Sequence, residues 1–146
     1  MPSRYNGYFC IMIRIIKQYP LSLLVIAAIL FLSLFNPPQT KLTPITNIDK
    51  IAHICMYGGL ELIIWFEYLR RHTSLNKVKI IVFGIVAPMA LGGIMEIAQM
   101  YLTDNRSGEW ADLIADTIGV LAGAAIGYWV IRPVIRKKQI NPSSRS

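Results

Sequence analysis

Charge is scarce in this sequence. Only 16% of the 146 residues are charged, against about 25% in an ordinary soluble domain. The acidic side is thinnest, with 8 Asp and Glu against 15 Lys and Arg. Cysteine is short too. Cys10 precedes the first apolar run and Cys55 lies inside the second, so no disulfide framework is expected. The basic start and first apolar run lead into Ser33–Thr40 without a small-residue cleavage pattern. That argues for a retained helix over a removed signal peptide. There is no H-x-x-x-H or H-E-x-x-H spacing, so neither a metal site nor another cofactor is expected. Ser107 stands in a polar loop without a nucleophile elbow, which removes a serine triad. The net charge of +7 would suit nucleic acid. The basic residues, however, sit at the ends of apolar runs, as in membrane proteins, so no nucleic-acid partner is expected.

What fills the space is apolar. Hydrophobic residues make up 54% of the chain, the mean hydropathy is +0.47, and four long apolar runs hold most of it. The expected fold is all-α: an integral membrane four-helix bundle. Residues 1–19 read as a cytoplasmic or interfacial N-terminal segment, 20–135 as the transmembrane domain, and 136–146 as a basic, polar, unstructured tail. The first helix needs about 20 residues to span, so it is extended back to Ile15 with Pro20 in its first turns. The second runs from Asp49 to about Leu69, with Asn47 or Asp49 as a cap. The third covers about Val78–Leu102, bent at Pro88 and Gly92-Gly93. The fourth covers about Trp110–Ile135. Trp65, Trp110 and Trp129 fall toward helix ends, where interfacial aromatics sit.

Orientation follows from the basic residues. Arg4, Arg14 and Lys17 precede the first helix. Arg70, Arg71, Lys77 and Lys79 join the second and third, and Arg132, Arg136, Lys137, Lys138 and Arg145 close the chain. The opposite side has only Lys41, Lys50 and Arg106. Both termini are therefore expected in the cytoplasm.

Against that apolar background the polar residues fall into register. Asp49, His53, Tyr57 and Glu61 are four apart and share one helix stripe. Glu96 and Gln99 share a face near the outer end of the third helix. Asp112 and Asp116 do so on the fourth, beneath a loop that holds Arg106 and opposite Lys50. Three helices thus offer polar groups at similar depth, Glu96 lying about 9 Å below Leu102 at about 1.5 Å per residue. Each has a plain structural reading: an interfacial His53, a Glu96–Gln99 clamp between helices, an Asp112 that complements a helix dipole. Their conjunction favours one outward-facing pocket. Glu61 lies deeper and needs a proton or a hydrogen-bond partner there. Ala115, Gly119, Gly123 and Gly127 form a small-residue ridge that lets another backbone come close. The neighbour is open between the second helix, the third and a second protomer of a homo-oligomer.

DKIAHICMYGGL before the second span and IMEIAQMYLTDNRSGEWADLIADTIGVLAG across the third and fourth resemble the VanZ-like family of small bacterial membrane proteins. The family pattern is carried by Asp49, Lys50, His53 and Tyr57, then Glu96 and Gln99, then Arg106, Asp112, Gly119 and Gly123. Asp116-Thr117 departs from it, since asparagine is commoner before that threonine. The resemblance implies a multi-pass protein of the bacterial cytoplasmic membrane with a cell-envelope role. It also implies a link to resistance to the glycopeptide teicoplanin, which is the association of the family's namesake.

The leading expectation is therefore a binder of a membrane lipid or lipid-linked cell-wall precursor at the outer leaflet. Lys50 and Arg106 would meet phosphate, and His53, Glu96 and Gln99 other headgroup atoms. The runner-up is a membrane enzyme that modifies such a headgroup, with His53 as acid/base and Glu96 or Asp116 as partner. A third reading is a structural assembly protein that uses the glycine ridge.

Overall fold

A computed structural model describes residues 5–34, 48–102 and 110–140. Among them every regular element is a helix. We label these α1 (Tyr5–Gln18), α2 (Pro20–Leu34), α3 (Ile48–Arg71), α4 (Lys77–Leu102) and α5 (Trp110–Ile140). Arg106 of the expected pocket, the candidate cap Asn47 and the outward Lys41 lie outside the described residues.

The first apolar run does not continue through Pro20. The chain turns by 91° between α1 and α2. Pro20 has no N–H to offer Ile16, and its ring crowds the preceding turn, so it starts a helix more readily than it continues one. α1 is a helix in its own right, with Phe9, Ile11, Met12, Ile15 and Ile16 exposed. α2, at 15 described residues, is about 22 Å long at about 1.5 Å per residue.

α4 and α5, at 26 and 31 residues, are long and apolar enough to cross a membrane; the bent α1–α2 pair makes a third if it is one span. α3 fails that composition test among the described residues, because it carries Asp49, Lys50, Glu61, Glu67, Arg70 and Arg71. Its position explains how it tolerates them. α3 packs along α5 and also touches α2 and α4. It buries His53, Tyr57, Glu61, Trp65 and Glu67 among them. Polar side chains that face protein escape the cost of facing lipid. The most polar helix is thus the most enclosed, while Phe83 and Ile94 of α4 and Trp129 of α5 point outward.

The core has two parts. Ile29, Tyr57, Leu60 and Val120 join α2, α3 and α5. Trp65, Tyr68, Leu69 and Ile80 close the other end. Trp65 therefore belongs to the core, unlike the exposed Trp110 and Trp129.

Both internal prolines follow a widened turn. Ile80–Val86 and Gly127–Ile131 are π-helical, and they precede Pro88 and Pro133. Ala87 N–H donates to Val82 O, and Arg132 N–H to Gly127 O, each five residues back. A wider turn moves the carbonyl that the proline ring would strike. The consequence at Pro133 corrects the expected boundary: α5 runs on to Ile140, and residues 136–140 are helix instead of tail. Gln139 Nε2 donates to Leu69 O at 3.1 Å and holds this end against α3.

Candidate functional site

The stripe on α3 starts exposed at Asp49 and becomes fully buried by Tyr57 and Glu61. Against it stand Glu96 of α4 and Asp112 and Asp116 of α5, all buried. The register between α3 and α5 is set by the ridge. A methyl group on Gly119 would meet Ile54 O at 2.6 Å, and one on Gly123 would meet Gly58 O at 2.8 Å. Only a helix face without side chains lets two backbones run this close. The ridge neighbour is α3 of the same chain, and Ala115 is buried beside it.

That register delivers Asp116 to His53. Nδ1 of His53 and Oδ1 of Asp116 are 2.8 Å apart and almost wholly enclosed. The other carboxylate oxygen, Oδ2, turns toward α4. There Gly92 leaves it room, since a methyl group on Gly92 would lie 2.8 Å from it. One turn on from Gly92 is Glu96. His53, Glu96 and Asp116 bring one donor atom each to within 4.8 Å of one another, and Asp49, His53 and Asp112 do the same. Asp49, His53, Glu96, Asp112 and Asp116 thus form one cluster centred on the imidazole.

Tyr57, one turn below His53, is 1% exposed. Among the described residues, neither its hydroxyl nor Asp116 Oδ2 has a hydrogen-bond partner. A buried polar atom left unmatched costs about 1–3 kcal/mol. Lys50 is half-buried beside Asp49. Gln99 has a structural tie as well: its Nε2 donates to Ser33 O at 3.1 Å and joins α4 to α2.

Glu61 is separate from this cluster. Trp65 Nε1 donates to its Oε1 at 2.8 Å. It packs where Gly84 of α4 and Gly123 of α5 both lack side chains.

A family model described as VanZ/LLP1 matches residues 8–132. The chain belongs to the VanZ/LLP1 family. Searches of curated proteins and of solved structures each return no match. The VanZ/LLP1 match runs from α1 to Arg132 of α5 and so includes every clustered residue. Family membership and the apolar helices together make this a VanZ-like membrane protein.

Sequence reading missed Glu67 altogether. Its Oε1 accepts from Leu21 N–H at 2.9 Å, and its Oε2 from Ser22 N–H at 3.1 Å and Ser22 Oγ at 2.6 Å. A side chain of α3 thereby caps α2. Along the chain Glu67 reads as a partner for Arg70 or Arg71. The available hint is that α2 begins at Pro-Leu-Ser, without a capping residue of its own.

The His53–Asp116 contact can be measured. His53→Gln and Asp116→Asn are expected to couple by about 1–3 kcal/mol in a double-mutant cycle of unfolding in detergent. Strict additivity would show that the 2.8 Å contact carries no energy.

Proposed function

We propose that this protein is a four-helix, multi-pass resident of the bacterial cytoplasmic membrane with both termini inside. In this reading α1 lies at the inner interface, and the His53 cluster faces outward. There it binds the polar headgroup of a membrane lipid or lipid-linked cell-wall precursor, consistent with a part in glycopeptide resistance. The observation that carries the reading is the buried His53–Asp116 pair, with Asp116 Oδ2 and Tyr57 Oη unmatched beside it. Access runs past exposed Asp49 and half-buried Lys50. The cluster is acidic, so its carboxylates suit headgroup amines and hydroxyls, while Lys50 and Arg106 suit a phosphate. Ligation by the lipid would complete hydrogen bonds that the helices leave open.

Native mass spectrometry of the purified protein tests this. One lipid per chain is expected, lost in Lys50→Ala and Arg106→Ala. Protein that carries no lipid from native membranes, and takes up none when lipid is added, would overturn the reading.

The His53–Asp116 bond also supports the enzymatic alternative. A carboxylate that orients an imidazole leaves the second ring nitrogen free to move a proton. An acid–base enzyme would still bind lipid as His53→Gln but would no longer alter it. Assembly through the glycine ridge is not proposed, because α3 occupies that ridge.

Orientation has its own test. Cys10 and Cys55 are free and exposed, so both are first replaced by serine. Single cysteines at Thr40, Ser74 and Ser107 should then react with an impermeant reagent in whole cells at 40 and 107 only. Labelling at 74 but not at 40 would invert the protein and put the cluster on the inner side.

A further inference from the structure

We propose that His53, Glu96 and Asp116 form a binding site for a divalent transition-metal cation. Motif spacing could not reveal it, because α3, α4 and α5 supply one ligand each. The donor atoms already lie within 4.8 Å of one another. Metal–ligand bonds of about 2.0–2.2 Å place two donors about 3.3 Å apart in a tetrahedral site and about 4.2 Å apart at most. Small side-chain rotations close that difference. The His53–Asp116 pair, at 2.8 Å, opens by about 0.5 Å to reach the tetrahedral separation, and the cation takes the place of the proton that the two now share.

Three further observations point to a guest at this spot. Asp116 Oδ2 has no hydrogen-bond partner among the described residues, although the residue is 1% exposed. The Tyr57 hydroxyl, one turn along α3 from His53, is equally enclosed and has no hydrogen-bond partner among the described residues. Gly92 keeps the α4 side clear where any larger residue would press on Asp116. A single imidazole with carboxylates selects Zn²⁺, Mn²⁺ or Fe²⁺ over Mg²⁺ or Ca²⁺. Three protein ligands leave a further coordination position open. The outer group of Asp49 and Asp112 around the same His53 provides an acidic path by which a cation reaches the site. The inference uses the cluster of the headgroup reading but does not depend on its ligand.

The test uses full-length protein, stripped with chelator in detergent, with no lipid added. Calorimetric titration with Zn²⁺ should give one site per chain. Co²⁺ should develop visible absorption bands of a low-symmetry nitrogen–oxygen site. Glu96→Gln and His53→Gln should each weaken Zn²⁺ binding at least tenfold, while Glu61→Gln, which removes a buried carboxylate elsewhere, leaves it unchanged. Wild-type protein that takes up neither Zn²⁺ nor Mn²⁺ overturns the proposal, as does full affinity in both ligand variants. The wild-type titration needs no variant to fold. Lipid binding is scored separately on chelated protein. Zinc without lipid defeats only the headgroup reading, and lipid without zinc defeats only this one.

Discussion

Gly119→Ala should lower the stability of the detergent-solubilised protein by about 3 kcal/mol, the upper end of the usual cost of overpacking. The added methyl would stand 2.6 Å from Ile54 O and 3.0 Å from Gly58 N. Both are backbone atoms of α3, so no side chain can swing aside and the two helices must part. Separation would also pull Asp116 from His53, because the ridge sets their register. Gly59→Ala is the matched control, since nothing lies within 4 Å of its added methyl. Thermal unfolding of the two variants side by side decides the matter. Equal midpoints would mean that α3 and α5 do not meet along this face.

Glu67→Ala should be comparably damaging, at about 3–4 kcal/mol. It strips partners from two N–H groups and one hydroxyl. Hydrogen bonds to a charged group contribute about 1.5–3 kcal/mol each, though not additively. Glu67→Gln should fall between, because its one carbonyl oxygen can replace one carboxylate oxygen. The local signature is amide exchange. Leu21 and Ser22 should lose protection in Glu67→Ala before the rest of α2 does. Unchanged exchange at those two amides would show that α2 holds its start without α3.

Much of this was readable in advance, and for identifiable reasons. A spacing of four along α3 puts Asp49, His53, Tyr57 and Glu61 on one line whatever surrounds them. Small residues every fourth position on α5 require a close neighbour. What could not be read depends on relations between helices. Pro20 is compatible with either a first turn or a break, and only the 91° corner chooses. Pro133 looks like a terminus, and only a π-type turn at Gly127–Ile131 shows that α5 passes through it. Gln99 shares a helix face with Glu96 in the sequence, and its bond to Ser33 O needs the placement of α2 to be seen. Trp65 reads as interfacial from its place near a helix end, which carries no information about Glu61 as a partner. Glu67 was invisible because capping in trans leaves no trace in local spacing.

The enclosure of α3 has a consequence for biogenesis. During synthesis α3 emerges before α4 and α5, the two helices that pass the membrane test on their own. An ionisable residue near the middle of a nascent span raises the cost of entering the bilayer by up to about 3 kcal/mol, and α3 carries Glu61 there. It therefore has little drive to leave the translocation channel alone. The glycine face that receives it is on α5, made last. α3 is a helix whose solvent is the rest of the protein, and its integration waits on chain still to be translated.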